Sequence, residues 1–204
     1  MNDPMHGDFD ERAATWDDDP AKVERAKVVA DAIRDAVPLD PTTRLLEYGA
    51  GTGLVTQMLR DSVGPVTLAD TSAGMREQMD TKVEAGLLAD ARVVDLDLST
   101  GPVPDERFDL IVTVMVLHHI TPLEPILDAF AALLDEGGHL CVVDLEEEDG
   151  SFHGEGFEGH HGFARGDLVA KLEAAGFSDV SIETCHQVRR GDATYPLFLA
   201  TARR

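Results

Sequence analysis

The sequence predicts an α/β fold, in which a mainly parallel, doubly wound sheet has helices on both faces and is closed by one antiparallel strand. Three observations point to it. Short apolar runs alternate with segments of helical periodicity along most of the chain. The run Phe108 to Val116 is too continuously apolar to be a half-exposed strand. Near the end, Arg189-Arg190-Gly191-Asp192 joins two strand-like runs as a hairpin.

The elements follow in order. Asp19-Pro20 supplies an N-cap and a first helical residue. Val23, Ala26, Ala30, Ile33 and Val37 then recur at helical spacing until Pro38 and Pro41 end the helix. Arg44 to Tyr48 is a strand that runs into glycines, and Leu54, Val55, Met58 and Leu59 form a short helix. Pro65 to Ala69 is a second strand, ending at Asp70. Thr71-Ser72 opens a helix carrying Met75, Met79 and Val83. Arg92 to Leu98 is a third strand and Phe108 to Val116 a fourth. A helix with Ile126, Leu127, Phe130, Leu133 and Leu134 starts at Thr121-Pro122, with Glu124 completing a capping box, or slightly later at Pro125, and is closed by Gly137-Gly138. Leu140 to Leu145 is a fifth strand. Leu168, Leu172 and Ala175 mark a last helix, stopped by Gly176. Val180 to Gln187 and Thr194 to Thr201 are the closing strands, seven in all.

The chain of 204 residues is expected to form one domain over 20–204, preceded by an arm or lid over 1–19 that contains Phe9 and the single Trp, Trp16. The segment 146–165 is an acidic, Gly- and His-rich loop, and a loop of that length is usually functional or disordered. With 39 acids against 17 bases the net charge is −22, which disfavours nucleic acid and anionic membranes, since phosphate binding rests on Lys and Arg clusters. No apolar run is long enough to span a bilayer, and the N-terminus lacks the apolar stretch of a secretory signal. Cys141 and Cys185 form no redox or metal motif, so a cytoplasmic location is the expectation.

The sharpest signal is Glu47-Tyr48-Gly49-Ala50-Gly51-Thr52-Gly53, directly after the first strand. Glycines there allow a tight turn and close approach of a ligand, at the strand ends where open α/β sheets bind ligands. A dinucleotide fold places its third glycine where this chain has Leu54, and no G-K-[ST] follows as in a P-loop.

With these residues the chain resembles the class I S-adenosylmethionine-dependent methyltransferases, in their small-molecule, type 11/12-like branch, over about residues 9–202. The glycine segment matches the family's acid-x-G-x-G-x-G. Asp70, seventeen residues after Gly53, matches the acid on the ribose hydroxyls, and a carboxylate can accept two bonds from a diol. Asp97-Leu98 matches the acid-plus-apolar pair around the adenine, with Asp95-Leu96 fitting almost as well. Asp97 is favoured by its twelve-residue spacing to Asp109. Phe108-Asp109 through Leu117-His118-His119 is similar to the family's fourth-strand motif, and Phe9-Asp10 to Trp16-Asp17 to its N-terminal arm.

The resemblance implies a Rossmann-like seven-stranded sheet and S-adenosyl-L-methionine as cofactor, with S-adenosyl-L-homocysteine as product. The cofactor residues it implies are Glu47, Gly49, Ala50, Gly51, Gly53, Asp70, Thr71, Met75, Asp97, Leu98, Thr113 and Met115. The reaction is methyl transfer to a small-molecule acceptor by in-line displacement. The alternative is a cofactor-binding module without its own catalysis, acting as a partner or regulator.

The sulfonium methyl is already electrophilic, so positioning supplies much of the catalysis, on the order of 7–11 kcal/mol. A base is needed only for a neutral acceptor. Position selects His118, His119 and His153 as candidates, with Asp144, His160 and His161 also eligible. His153, His160 and His161 with Glu146, Glu155 and Glu158 match no closed zinc pattern, so no metal is expected. The acceptor and the oligomeric state are not legible.

Overall fold

The structure, a computed structural model, describes residues 9–204. Residues 1–8 of the expected arm lie outside the described residues. The chain forms two compact units, one up to Asp97 and one from Leu98.

In the first unit, helix α1 (Pro20–Ala36) begins where its sequence signals place it. The Asp19 carboxylate accepts from the Ala21 N–H at 2.9 Å, with Pro20 in the first turn. Ala26, Val29, Ala30 and Ile33 form its buried face. Strands β1 (Leu45–Tyr48), β2 (Val66–Ala69) and β3 (Arg92–Val94) run parallel in the order β3-β2-β1. The glycine turn leads from β1 into α2 (Leu54–Leu59). Helix α3 (Ala73–Glu84) is capped by the Ser72 hydroxyl, which accepts from the Met75 N–H at 3.2 Å. The third strand, expected as far as Leu98, stops at Val94. Its register partner Ala69 is the last residue of β2, so β2 offers nothing for the following residues to pair with.

The second unit contains β4 (Phe108–Val114), α4 (Glu124–Leu133), β5 (Leu134–Leu145), α5 (Arg165–Ala174), β6 (Ser178–Arg190) and β7 (Ala193–Arg203). Their strand order is β4-β5-β7-β6. Strands β4 and β5 are parallel, and β7 is antiparallel to both β5 and β6. Among the described residues the strands therefore number seven, with β7 as the antiparallel member. Helix α4 takes the later of its two expected starts, with Pro125 in its first turn. Leu123 holds the cap position without a side-chain bond, so the expected capping box does not form. Strand β5 begins directly after α4, and Gly137-Gly138 lies inside it, where the pairing with β4 slips between Phe108 and Leu110.

The core of this unit is built on Phe130, Ile111, Leu140 and Phe198, all fully buried. No helix among the described residues is long and apolar enough to cross a membrane. Both thiols are free, and burial pushes the Cys141 thiol up to about 12.

Candidate functional site

The turn after β1 is built by backbone conformations that side chains avoid. Gly49, Gly51 and Gly53 have φ of 69°, 57° and 74°. A Cβ at Gly53 would lie 2.9 Å from Leu88 Cδ1, whereas one at Gly51 would meet nothing within 4 Å. The turn is thus packed beneath Gly53 and open beside Gly51, leaving room for a ligand against its backbone.

Two acids hold this turn. Glu47, at the end of β1, is 2% exposed, and its carboxyl accepts from the Thr56 N–H at 3.1 Å and from the Thr56 hydroxyl. Burial pushes it up from 4.5 to about 7, against the opposing effect of those bonds. Asp70, just beyond β2, reaches back nineteen residues: its Oδ2 accepts from the Gly51 N–H at 2.7 Å, and its Oδ1 from the Ser72 N–H at 2.9 Å. Thr71 follows it, half-buried. Met75 is 2% exposed and lies within the core face of α3. Asp95 is committed to an ion pair with Arg76 at 3.1 Å, and Arg76 also donates to the Asp70 carbonyl at 2.8 Å. Asp97 is half-buried.

The described part of the arm docks on the same unit. Asp10 accepts from the Ser72 hydroxyl at 2.5 Å and from the Gly74 N–H at 2.9 Å, reinforcing the start of α3. Trp16 lies 5.9 Å from Phe9, with Lys22 Nζ 3.6 Å from its ring centroid. Asp17 accepts from the Thr52 hydroxyl at 2.6 Å and pairs with Lys82 at 2.6 Å, while Lys82 donates to the Thr52 carbonyl at 2.8 Å. The arm is thereby fastened to the glycine turn itself. Pairs separated by 35 to 64 positions leave no local signal for these contacts in the sequence. Replacing Asp10 by Ala should cost about 1 kcal/mol of unfolding free energy, the usual value of a helix cap. An unchanged denaturant midpoint would contradict that role.

In the second unit, Leu98 is buried, and the buried Thr113 hydroxyl of β4 has no hydrogen-bond partner among the described residues. Met115 follows β4 with φ of 60°, in a conformation that costs a non-glycine residue about 1–3 kcal/mol and is found most often at functional sites. The chain then forms a helical turn over Leu117–His119. His118 is 1% exposed and Asp144, on β5, is fully buried. They meet at 2.6 Å between Nδ1 and Oδ1, and Asp144 Oδ2 also accepts from the His118 N–H at 3.2 Å.

From the 146–165 loop, His153 brings its ring to 5.1 Å from that of His118 and 5.2 Å from that of His119. The loop's other histidines face elsewhere. His160 Nε2 lies 3.0 Å from the Ile120 carbonyl, and His161 pairs with Glu148 at 3.4 Å. Glu146 is held by Arg165 at 2.6 Å, and Glu155 and Glu158 are exposed. The grouping of His153 with His160 and His161 weighed from sequence is therefore not formed, whereas the three candidate bases His118, His119 and His153 are brought together.

A family profile described as a methyltransferase domain matches residues 21–182. The chain belongs to the class I S-adenosylmethionine-dependent methyltransferase family. Among curated relatives, a methyltransferase of Stutzerimonas stutzeri, named for ubiquinone and menaquinone biosynthesis as a C-methyltransferase, is 31% identical over 108 residues, covering 51% of this chain and 42% of that protein. An uncharacterized methyltransferase of Mycobacterium bovis is 33% identical over 119 residues, 58% of each chain. The chain thus matches about half the length of these relatives.

Among solved structures, the N-methyltransferase NodS of Bradyrhizobium japonicum, in complex with S-adenosyl-L-homocysteine, superposes with a TM-score of 0.75 at 20% identity, covering 99% of both chains. A Haloferax volcanii chain solved with the Trm112 methyltransferase activator gives 0.78 at 14% identity, covering 100% of this chain and 98% of that one. These likenesses establish the Rossmann-like methyltransferase fold.

Proposed function

We propose that this methyltransferase-family chain transfers the methyl group of S-adenosyl-L-methionine to a small-molecule acceptor. The observation that carries the reading is the clasp between Asp70 and the Gly51 N–H, beside a glycine turn with open space at Gly51. A carboxylate offers about four acceptor sites, so Asp70 can hold the turn and also accept from a ribose diol. In the first unit, Glu47, Gly49, Ala50, Gly51, Gly53, Asp70, Thr71, Met75 and Asp97 are the proposed cofactor residues. Asp97 is preferred to Asp95 for its twelve-residue spacing to Asp109. Met75 contributes mainly by fixing α3. Leu98, Thr113 and Met115 are proposed from the family pattern, and the unpartnered Thr113 hydroxyl and the Met115 backbone support a functional position.

The cofactor, when bound, supplies an electrophilic methyl on a sulfonium. What the chain contributes is binding, orientation and proton transfer. A carboxylate only accepts, so in the neutral ring the His118 proton sits on Nδ1 against Asp144 and the lone pair is on Nε2. That tautomer makes His118 the preferred base for a neutral hydroxyl or amine, a step worth about 10²–10⁴-fold. The family's small-molecule relatives and the acidity of this chain favour a metabolite over nucleic acid.

A second reading, a partner-dependent or non-catalytic module, is favoured by the Haloferax volcanii neighbour having been solved with an activator. Calorimetry of the purified chain with S-adenosyl-L-homocysteine and with NADH tests cofactor choice. Saturable binding of the first and none of the second is expected, and the reverse would overturn the proposal.

A further inference from the structure

We propose that His118, His119 and His153 form a three-histidine site for one divalent transition-metal ion of the zinc class, with Asp144 as the carboxylate that orients His118. One ligand nitrogen from each ring lies within 4.8 Å of the others. Their ring centroids are separated by 4.0, 5.1 and 5.2 Å. A tetrahedral ion with Zn–N bonds of about 2.0–2.1 Å needs nitrogens roughly 3.3 Å apart, so the rings need close by at most about 1.5 Å.

The surroundings suit a metal better than a stack of three rings alone requires. Metal-bound histidines characteristically donate their second ring N–H to a carboxylate. His118 has that arrangement, in a pair from which water is excluded: Asp144 Oδ1 also accepts from the Leu145 N–H at 2.8 Å, so the carboxylate is fixed as well as buried. His153 Nε2 is buried with no hydrogen-bond partner among the described residues, an arrangement that costs free energy unless something binds the lone pair. Its ring is held from behind, stacked on Phe157 at 3.8 Å and edge-on to Phe152 at 4.9 Å. Three neutral nitrogens select zinc, cobalt, nickel or iron(II) over magnesium and calcium, which want oxygen ligands. Three protein ligands leave a fourth position for water or an acceptor atom.

The site also gives a reason for the glycines of the 146–165 loop. The His160 N–H donates to the His118 carbonyl at 2.7 Å, and a Cβ at Gly159 would lie 2.2 Å from that same carbonyl oxygen. A Cβ at Gly162, where φ is +72°, would lie 2.1 Å from the Glu146 carbonyl. Only a chain without side chains there can approach closely enough to carry His153 to the other two rings.

Metal binding and base catalysis compete for the same His118 lone pair, and the test is independent of turnover and of cofactor. Cobalt(II) is titrated into the metal-free full chain at about 1 M salt, where a Debye length of about 3 Å suppresses capture by surface carboxylates. Zinc(II) affinity is then measured by competition. One equivalent of cobalt giving the visible bands of a four-coordinate nitrogen site is expected. His153→Ala should weaken binding by tenfold or more, Asp144→Asn by about 10–100-fold, and His161→Ala should leave it unchanged. Absence of the bands, or equal affinity in wild type and His153→Ala, overturns the site. Because S-adenosyl-L-homocysteine binding is measured separately, loss of one reading leaves the other testable.

Discussion

Glu47→Gln should make the protein less sensitive to rising pH by about 3 kcal/mol. The Glu47 carboxyl is buried under the glycine turn and is pushed from 4.5 to about 7. A raised value means that the folded state holds the proton more tightly than the unfolded chain does. Below about pH 4.5 both states are protonated, so folding carries no penalty from this group. Between about 4.5 and 7 the unfolded chain ionises first, and the folded state loses stability as pH rises. Above about 7 the cost is complete, at roughly 3 kcal/mol for that difference. The sign is opposite to that of a carboxylate stabilised by an ion pair. Glutamine retains an acceptor for Thr56 and has no charge to bury. Urea midpoints across that range should therefore fall more steeply for the wild type than for the variant. Parallel curves would show that Glu47 is ionised without cost in the fold.

Asp70→Ala should weaken S-adenosyl-L-homocysteine binding by roughly 5–150-fold, the effect of about 1–3 kcal/mol from leaving a diol unpaired. The loss has two sources, which a second variant separates. Alanine removes both the acceptor for the diol and the acceptor for the Gly51 N–H, so the turn loses its clasp as well. Asparagine keeps one oxygen for Gly51 but loses the second acceptor oxygen. If Asp70→Asn binds almost as weakly as Asp70→Ala while its urea midpoint matches the wild type, so that loss of the Ser72 bond is not the cause, the carboxylate acts on the ligand. If Asp70→Asn binds like the wild type, Asp70 serves only to hold the turn.

The structure explains why some of this was legible and some was not. Strand β4 announced itself because a strand buried on both faces must be apolar at every position. The α1 cap was legible because Asp19 and Pro20 act within one turn. The glycine turn and Asp70 were legible because their spacing is fixed by one strand–turn–helix passage on each side. Strand β3 was overextended because Asp95 to Leu98 keeps the two-residue alternation of a strand, while pairing is set by where β2 stops.

The histidines illustrate the same limit. As possible metal ligands His153, His160 and His161 group together in the loop, whereas as candidate bases His118, His119 and His153 do. The fold instead turns His160 to the Ile120 carbonyl and brings His153 to a turn thirty-four residues earlier. Likewise, nothing local marks Asp17 as the partner of Thr52 and Lys82. Side chains brought together by the sheet, across long separations, leave no period or motif in the sequence.

The charge of −22 also takes on more definite assignments. Asp10, Asp17, Glu47, Asp70 and Asp144 are structural acceptors of specific donors, four of them at the glycine turn or the start of α3. Methyl transfer to a small molecule is tested most directly by a transfer assay. The purified full chain is incubated with methyl-labelled S-adenosyl-L-methionine and the low-molecular-weight fraction of a cell extract. Time-dependent label in that fraction, reduced in Asp70→Ala, is the predicted result. Saturable cofactor binding with no label transferred to any metabolite, with or without divalent metal, would contradict the claim and leave the non-catalytic module as the reading.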